Sequence, residues 1–178
     1  MSILASDDEP LMASPGPAHL TSALLAVAAA AFVDQITKWL ILEVVMQPPR
    51  VIPIVPFFNL TLGYNTGISF GLMKTVFEDY PLALTGVTLL IVGFLLLWAR
   101  RASSHLEAVA LGLISGGALG NAIDRIRQGA VTDFLDVYVG TWHWPTFNIA
   151  DVAIVLGAIV LVIGDLFGRK RPAAPVSS

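Results

Sequence analysis

Two acidic residues, Asp124 and Asp151, stand out because each lies near one end of a long apolar run. A carboxylate inside or bordering a membrane span is costly, so such a residue usually marks a functional site. If the fold holds the two together, they form the minimal equipment for activating water, since close carboxylates readily share one proton. The sequence therefore predicts a catalytic aspartate pair, provided that the elements carrying the two residues meet.

Polar neighbours accompany both acids. Asn121, Asp124 and Arg125 are spaced three and four residues apart, so they share one broad helix face. Asn148 precedes Asp151 by three residues, a spacing that is also typical of the cap at a helix start. A structural interpretation stays open for both groups, as a polar helix end and as a cap. Capping alone leaves the second acid of the pair unexplained.

Other polar residues point to structure rather than chemistry. Asp34 and Lys38 are four residues apart with the acid first, which favours a helical ion pair inside a span. Asp133 and Asp136 are expected in an outer loop, where water would solvate them. The three histidines are scattered along the chain, and there is no cysteine. We therefore predict no metal and no organic cofactor.

Composition indicates a membrane protein. The 178 residues are 56% apolar and only 13% charged, whereas soluble domains carry about 25% charged residues. The net charge of -3 gives no reason to expect a nucleic-acid partner. We interpret residues 1–178 as one membrane domain, with flexible cytoplasmic tails at 1–18 and 169–178.

Four apolar runs are long enough to approach the roughly 20 residues that a helix needs to cross a bilayer. They are Leu20–Leu42, Leu82–Trp98, Leu106–Ile123 and Ile149–Phe167. The stretch before the first run is acidic and lacks Lys and Arg, so we expect a retained span rather than a cleaved signal. Arginine and lysine flank the second and fourth runs, which predicts that both termini are cytoplasmic. This topology places both acids near the outer face.

Two outer segments connect the spans. Prolines exclude a continuous helix through the start of residues 43–80, and its apolar residues favour short strands ending in a turn at Asn65-Thr66-Gly67. Such a sheet would lie on the membrane surface and cover the site, although a passive loop is the simpler interpretation. The second segment, 126–148, carries aromatic residues that suit the membrane–water interface.

In these motifs the chain resembles the bacterial lipoprotein signal peptidases, also called signal peptidase II, which are aspartic peptidases of the inner membrane. The matching stretches, in the family's order, are residues 34–38, 58–59 with 64–71, 116–125, 129–134 and 144–151. Five ordered motifs make this resemblance far more specific than a pair of aspartates.

The resemblance implies a membrane α-helical fold, with four transmembrane helices, a small extracytoplasmic β-cradle and a surface helix. It also implies that Asp124 and Asp151 are catalytic. The polar residues that it assigns to substrate binding are Asn65, Gly67, Asn121, Arg125 and Asn148. The element Asp34, Gln35 and Lys38 is assigned a structural polar role.

The implied function is an endopeptidase that removes the signal peptide of a diacylglyceryl-modified prolipoprotein by cleaving before the lipidated cysteine. One aspartate takes a proton from water while the other polarises the scissile carbonyl. The pair titrates as a unit, so neither acid is assigned the proton. Expected partners are the prolipoprotein and membrane lipids, with no nucleic acid and a monomeric chain. The site would open at the periplasmic side of the inner membrane.

Two other classes remain as alternatives. A small transporter would use the acids to relay protons or bind a cation, but it would need polar residues throughout the depth of the spans. The second span is almost wholly apolar. A structural membrane adaptor explains the spans but leaves the acid pair without a purpose.

Overall fold

The computed structural model describes residues 17–67 and 81–168. Its helices are α1 (Pro17–Leu40, continued by a π-helical turn over Ile41–Val45), α2 (Pro81–Ala99), α3 (His105–Gln128) and α4 (Ile149–Gly168). Its strands are β1 (Ile52–Val55), β2 (Phe58–Asn65), β3 (Val131–Val139) and β4 (Trp142–His143). The predicted tail at 169–178 and all of the predicted tail at 1–18 except Pro17 and Ala18, which begin α1, lie outside the described residues. So do residues 68–80, and no surface helix is found among the residues that are described.

All four predicted spans are confirmed as helices. The stretches that are long and apolar enough to cross a membrane are His19–Val45, Leu82–Ala99, His105–Gln128 and Ile149–Phe167. Helix α3 runs five residues beyond its predicted end at Ile123, because it stops only at Gly129, whose left-handed φ of 78° forms the cap. Asp124 and Arg125 therefore lie within the last turns of the helix.

Helix α3 is the central helix and packs against the other three. Glycines on its surface allow this close approach. A Cβ atom added at Gly116 would lie 2.6 Å from the carbonyl oxygen of Val27 in α1, and Gly117 faces Ala150 of α4 in the same way. One turn further on, a Cβ at Gly120 would be 3.0 Å from the Asp34 carboxyl carbon. Small residues thus let the polar part of α1 reach α3.

The predicted outer sheet is also confirmed. Its four strands are antiparallel in the order β1-β2-β3-β4, and Asn65 at the end of β2 pairs with Val131 at the start of β3. An apolar cluster of Ile41, Met46 and Phe134 lies between this sheet and the end of α1. The sheet is therefore fastened to the helices at the ends where α3 stops and α4 begins.

The expectation that Asp133 and Asp136 lie in a solvated loop is wrong. Both belong to β3, and both are buried. The strand enters directly after the αL cap of α3 and pairs with β2, so its first residues are enclosed between helix and sheet. Amide donors replace the lost water: Asn59 donates to Asp136, and Asn65 donates to Asp133.

We predict that Gly116→Ala lowers the stability of the folded protein, because the added methyl group must push the backbone of α1 away. Overpacking of this kind costs about 1–3 kcal/mol. Thermal unfolding in detergent measures the effect. Gly93→Ala in α2 is the matched control, since nothing lies within 4 Å of the added Cβ atom. Equal unfolding temperatures for the two variants would contradict the close α1–α3 contact.

Candidate active site

Polar side chains from five elements converge where the helices meet the sheet. The structure brings together every site residue predicted from the sequence: Asp34, Gln35 and Lys38 of α1, Asn65 and Gly67 at the end of β2, Asn121, Asp124 and Arg125 of α3, and Asn148 and Asp151 at the start of α4. Asp133 of β3 joins them. Hydrogen bonds and ion pairs connect this set into one network.

The Lys38 ammonium lies between α1 and α3, near the end of α1. It lies 2.8 Å from Asp34 Oδ2 and 2.9 Å from Asp124 Oδ2, and the side chain is 4% exposed. It donates a third bond of 3.0 Å to Asn121 Oδ1. The predicted Asp34–Lys38 ion pair is thus confirmed, but it has a second carboxylate partner. All three donors of the ammonium are used.

Asp124 is held tightly by its surroundings. Its Oδ1 accepts a 2.9 Å bond from Gln35 Nε2, and its Oδ2 accepts a 3.0 Å bond from the backbone nitrogen of Thr132 in addition to the Lys38 contact. The side chain is buried. Asp124 therefore ties α1, the end of α3 and the start of β3 together.

Asp151 lies in the first turn of α4 and forms a reciprocal cap with Asn148. The backbone nitrogen of Asn148 donates to Asp151 Oδ2 at 3.1 Å, and the backbone nitrogen of Asp151 donates to Asn148 Oδ1 at 3.1 Å. Asn121 Nδ2 donates to Asp151 Oδ1 at 3.0 Å. The sequence-based cap interpretation thus holds for Asn148, and it includes the acid.

Asp151 also faces an open space. It lines a cavity of about 420 Å³ between the segment Trp144–Phe147 and the first two turns of α4. The other side chains that line this cavity are mostly apolar, among them Val152, Ile154 and Val155. Of the carboxylates in the network, Asp151 is thus in contact with a space large enough for part of a ligand.

Asp133 is the functional candidate that the sequence analysis dismissed. It is 2% exposed. Its Oδ1 accepts a 2.7 Å hydrogen bond from Asn148 Nδ2, and its Oδ2 accepts a 3.2 Å hydrogen bond from Asn65 Nδ2. Burial and the neighbouring charge of Asp151 raise the pKa of Asp133 to about 6, against the hydrogen bonds from the two asparagines. A signal was available, because Asp133 lies within one of the five matching motifs.

Asn148 connects the two acids. Its backbone nitrogen binds Asp151, its side-chain amide binds Asp133, and it is 0% exposed. Two carboxylates held by one asparagine, one of them with a raised pKa, have the electrostatic character of an acid–base pair. Among residues 17–67 and 81–168, no three His, Cys, Asp or Glu side chains are placed to hold a metal ion.

Arg125 fixes the turn that follows β2. Its Nη2 donates to the Gly67 carbonyl oxygen at 3.1 Å, and its Nη1 donates to the Asn121 carbonyl oxygen at 3.4 Å. The turn is closed further by Asn65, whose Oδ1 accepts from the Gly67 nitrogen at 3.1 Å. The predicted turn residues therefore shape one wall of the site through backbone contacts.

Known proteins are similar to this chain over most of its length. A family model described as signal peptidase (SPase) II matches residues 26–167. The lipoprotein signal peptidase of Methylorubrum extorquens (strain PA1) is 44% identical over 158 residues, 86% of this chain and 90% of the relative. That of Hydrogenovibrio crunogenus (strain DSM 25203 / XCL-2) is 40% identical over 141 residues, 78% of this chain and 81% of the relative.

Solved structures agree with the fold. A bacterial membrane enzyme determined by the in meso method at 2.3 Å resolution superposes with a TM-score of 0.73 and 27% identity, covering 88% of this chain and 95% of the other. A second such structure, at 1.9 Å resolution, has a TM-score of 0.70 and 28% identity over 84% of this chain and 95% of the other.

The family match extends through all four helices and the sheet, and the relatives are matched over most of their own length. The buried acids, their asparagine partners and the membrane-spanning helices are the parts that an aspartic peptidase acting at a membrane requires. The chain belongs to the signal peptidase II family, the membrane aspartic peptidases that remove signal peptides from prolipoproteins.

Proposed function

We propose that Asp133 and Asp151 are the aspartate pair with which this chain cleaves a diacylglyceryl-modified prolipoprotein before its lipidated cysteine. The observation that carries the proposal is the bridge through Asn148, which donates to both acids from its backbone and its side chain. A dyad needs two carboxylates close enough to share a proton, and the raised pKa of Asp133 is what a neighbouring carboxylate in a buried site produces.

The pair Asp124 and Asp151, expected from the sequence, fits this chemistry less well. Lys38 lies 2.9 Å from Asp124 Oδ2, whereas Asp133 and Asp151 are both held by Asn148. A carboxylate in contact with a cation is less suited to sharing a proton with a second carboxylate than one held by neutral amides. In this proposal Asp124 supports the site instead, because it holds the backbone nitrogen of Thr132, next to Asp133.

The proposed reaction uses one water molecule. The ionised acid takes a proton from the water as its oxygen attacks the scissile carbonyl carbon, and the protonated acid donates to the carbonyl oxygen. Collapse of the tetrahedral intermediate breaks the C–N bond, and the departing nitrogen receives a proton. The products are the signal peptide with a new carboxyl end and a lipidated cysteine with a free amine.

The lipid part of the substrate would enter from the bilayer. The cavity beside Asp151 is lined by apolar side chains of α4 and by Trp144 and Phe147. Acyl chains partition into such surfaces. We place the chain in the inner membrane with the sheet on the periplasmic side, because Arg100 and Arg101 lie in the α2–α3 connection at the opposite end of the helices.

Asparagine substitutions test the pair. Asp133→Asn and Asp151→Asn should each reduce signal-peptide release by about 100-fold or more, since each removes one half of the acid–base chemistry. Asp124→Asn should lower protein yield and stability, because Lys38 loses a buried partner, while folded molecules keep measurable turnover. The assay follows release of the signal peptide from a diacylglyceryl-modified prolipoprotein, per folded enzyme.

Asp136→Asn is the matched control, because Asp136 is a buried acid of the same strand whose partners, Asn59 and His143, lie away from the network. It should retain turnover. An inactive Asp124→Asn beside an active Asp133→Asn would reinstate the pair Asp124 and Asp151. Turnover by all three variants in the network would reject an aspartate mechanism.

A pH profile provides a second test. Because the pKa of Asp133 in the folded protein is about 6, above its ordinary value, the proton of the pair is retained up to that pH and lost above it. We predict that kcat/KM of the free enzyme falls above pH 6 by about tenfold per pH unit. Steady-state cleavage at several pH values measures this limb. A kcat/KM profile that stays flat up to about pH 8 would contradict a shared proton that is lost near pH 6.

A further inference from the structure

The side-chain amide of Asn121 has a fixed orientation between Lys38 and Asp151. An ammonium group can only donate, so the 3.0 Å contact of Lys38 Nζ must be made to the oxygen of the amide. Asn148 Nδ2 donates to the same oxygen at 3.1 Å. With its oxygen held by two donors, Asn121 presents its nitrogen to Asp151 Oδ1 at 3.0 Å.

The two acids of the proposed dyad stand in different environments. Asp151 accepts from Asn121 and from the backbone of Asn148, and it lies in the first turn of α4, where the helix dipole favours a negative charge. Asp133 also accepts two amide bonds, but it lies on a strand and is more deeply buried than Asp151. A buried carboxylate that has no helix N-terminus beside it favours its neutral, protonated form.

From this asymmetry we infer that Lys38 is a positioning residue that acts through Asn121 to hold the Asp151 carboxylate in place as the acceptor of the water proton. Asp133 then holds the shared proton and faces the carbonyl oxygen. The inference rests on the proposed dyad and assigns roles within it. It also gives Lys38 a part in turnover, beyond the structural ion pair with Asp34.

The proton path follows from this assignment. Asp151 takes one proton from the water whose oxygen bonds to the carbonyl carbon, and Asp133 transfers its proton to the carbonyl oxygen. When the C–N bond breaks, Asp151 gives its proton to the departing nitrogen, and the intermediate hydroxyl returns its proton to Asp133. Both acids end in the state in which they began.

Several charged groups from the elements packed around α4 belong to the same network as Asp151. They are Asp34 and Lys38 of α1, Asp124 and Arg125 of α3, and Asp133 of β3. The ammonium of Lys38 is shared by the two carboxylates that contact it directly. Lys38 is therefore connected to Asp151 through the side chain of Asn121, which accepts from Lys38 and donates to Asp151.

The decisive variant is Asn121→Leu, which keeps the branched shape of the side chain and leaves both ion-pair partners of Lys38 in the chain. Loss of a hydrogen bond to a carboxylate should lower kcat by about 10- to 100-fold. The acidic limb of kcat/KM should move up by about one pH unit, because the ionised form of the acid pair loses a hydrogen bond. KM for the diacylglyceryl-modified prolipoprotein should change little.

Lys38→Met should shift the same limb in the same direction. In a double-mutant cycle, adding Lys38→Met to Asn121→Leu should shift it no further, because both changes interrupt one route. Lys38→Met leaves two buried acids without their cation, so its folded fraction is measured by thermal unfolding. If it does not fold, Asn121→Leu decides the question alone.

Asn59→Leu is the matched control. Asn59 is a buried asparagine that donates a 2.9 Å bond to the carboxylate of Asp136, in the same sheet but outside the network. It should lower thermal stability and leave the limb in place. If Asn59→Leu moved the acidic limb of kcat/KM as far as Asn121→Leu does, the shift would come from a general loss of stability. That result would overturn the inference.

Other outcomes are equally clear. A raised KM with unchanged kcat and an unmoved limb in Asn121→Leu would make Asn121 a substrate-binding residue and overturn the relay. Additive shifts in the double variant would mean that Lys38 acts on Asp151 directly, and would also overturn it. These results are distinct from failure of the dyad, which is diagnosed by cleavage in Asp133→Asn or Asp151→Asn.

Discussion

The rest of the site depends on the burial of one ammonium group. Lys38 is removed from water and needs all three of its oxygen partners, because an unpaired charge in such a place costs several kcal/mol. Those partners come from two helices, α1 and α3, so the ammonium fixes their relative register as well as their distance. Gly120 makes this possible by leaving room for the Asp34 carboxylate against the α3 backbone. Small residues and a buried charge thus act together at the end of the helix pair.

A second constraint fixes the start of α4 against this pair. Asp34 Oδ1 accepts a 3.0 Å bond from the backbone nitrogen of Ala150, so a side chain of α1 satisfies a free N–H group in the first turn of α4. Asn148 is bonded to the carbonyl oxygen of Thr132 and to Asp133, which connects the same turn to β3. Since each of these buried groups has its partner on a different element, disturbing one element exposes unsatisfied groups on the others.

Local patterns in the sequence were sufficient for the helices and for the strands β1 and β2, but not for β3 and β4. The lengths of the apolar runs, and the prolines and strand-forming residues after the first of them, depend on neighbours close in sequence. The placement of Asp133 depends on residues far away in the sequence, because its burial requires β3 to pair with β2. Its partner Asn65 lies 68 residues earlier in the chain. The same holds for Asp124, whose cation lies 86 residues away in α1. Likewise His19 and His105 look scattered in the sequence, yet their rings lie 4.6 Å apart.

The balance of charge explains why such a site favours a pair of acids with one proton. Four carboxylates, of Asp34, Asp124, Asp133 and Asp151, share this region with the cations of Lys38 and Arg125. Lys38 is fully engaged by two of the acids, and Arg125 is directed to backbone carbonyls. Ionising both remaining acids would therefore place two uncompensated charges in a poorly solvated site, which is the costliest state available. One proton on Asp133 relieves most of that cost. Asp151, which has the helix start and the cavity beside it, is then the acid that we propose as the acceptor of the water proton.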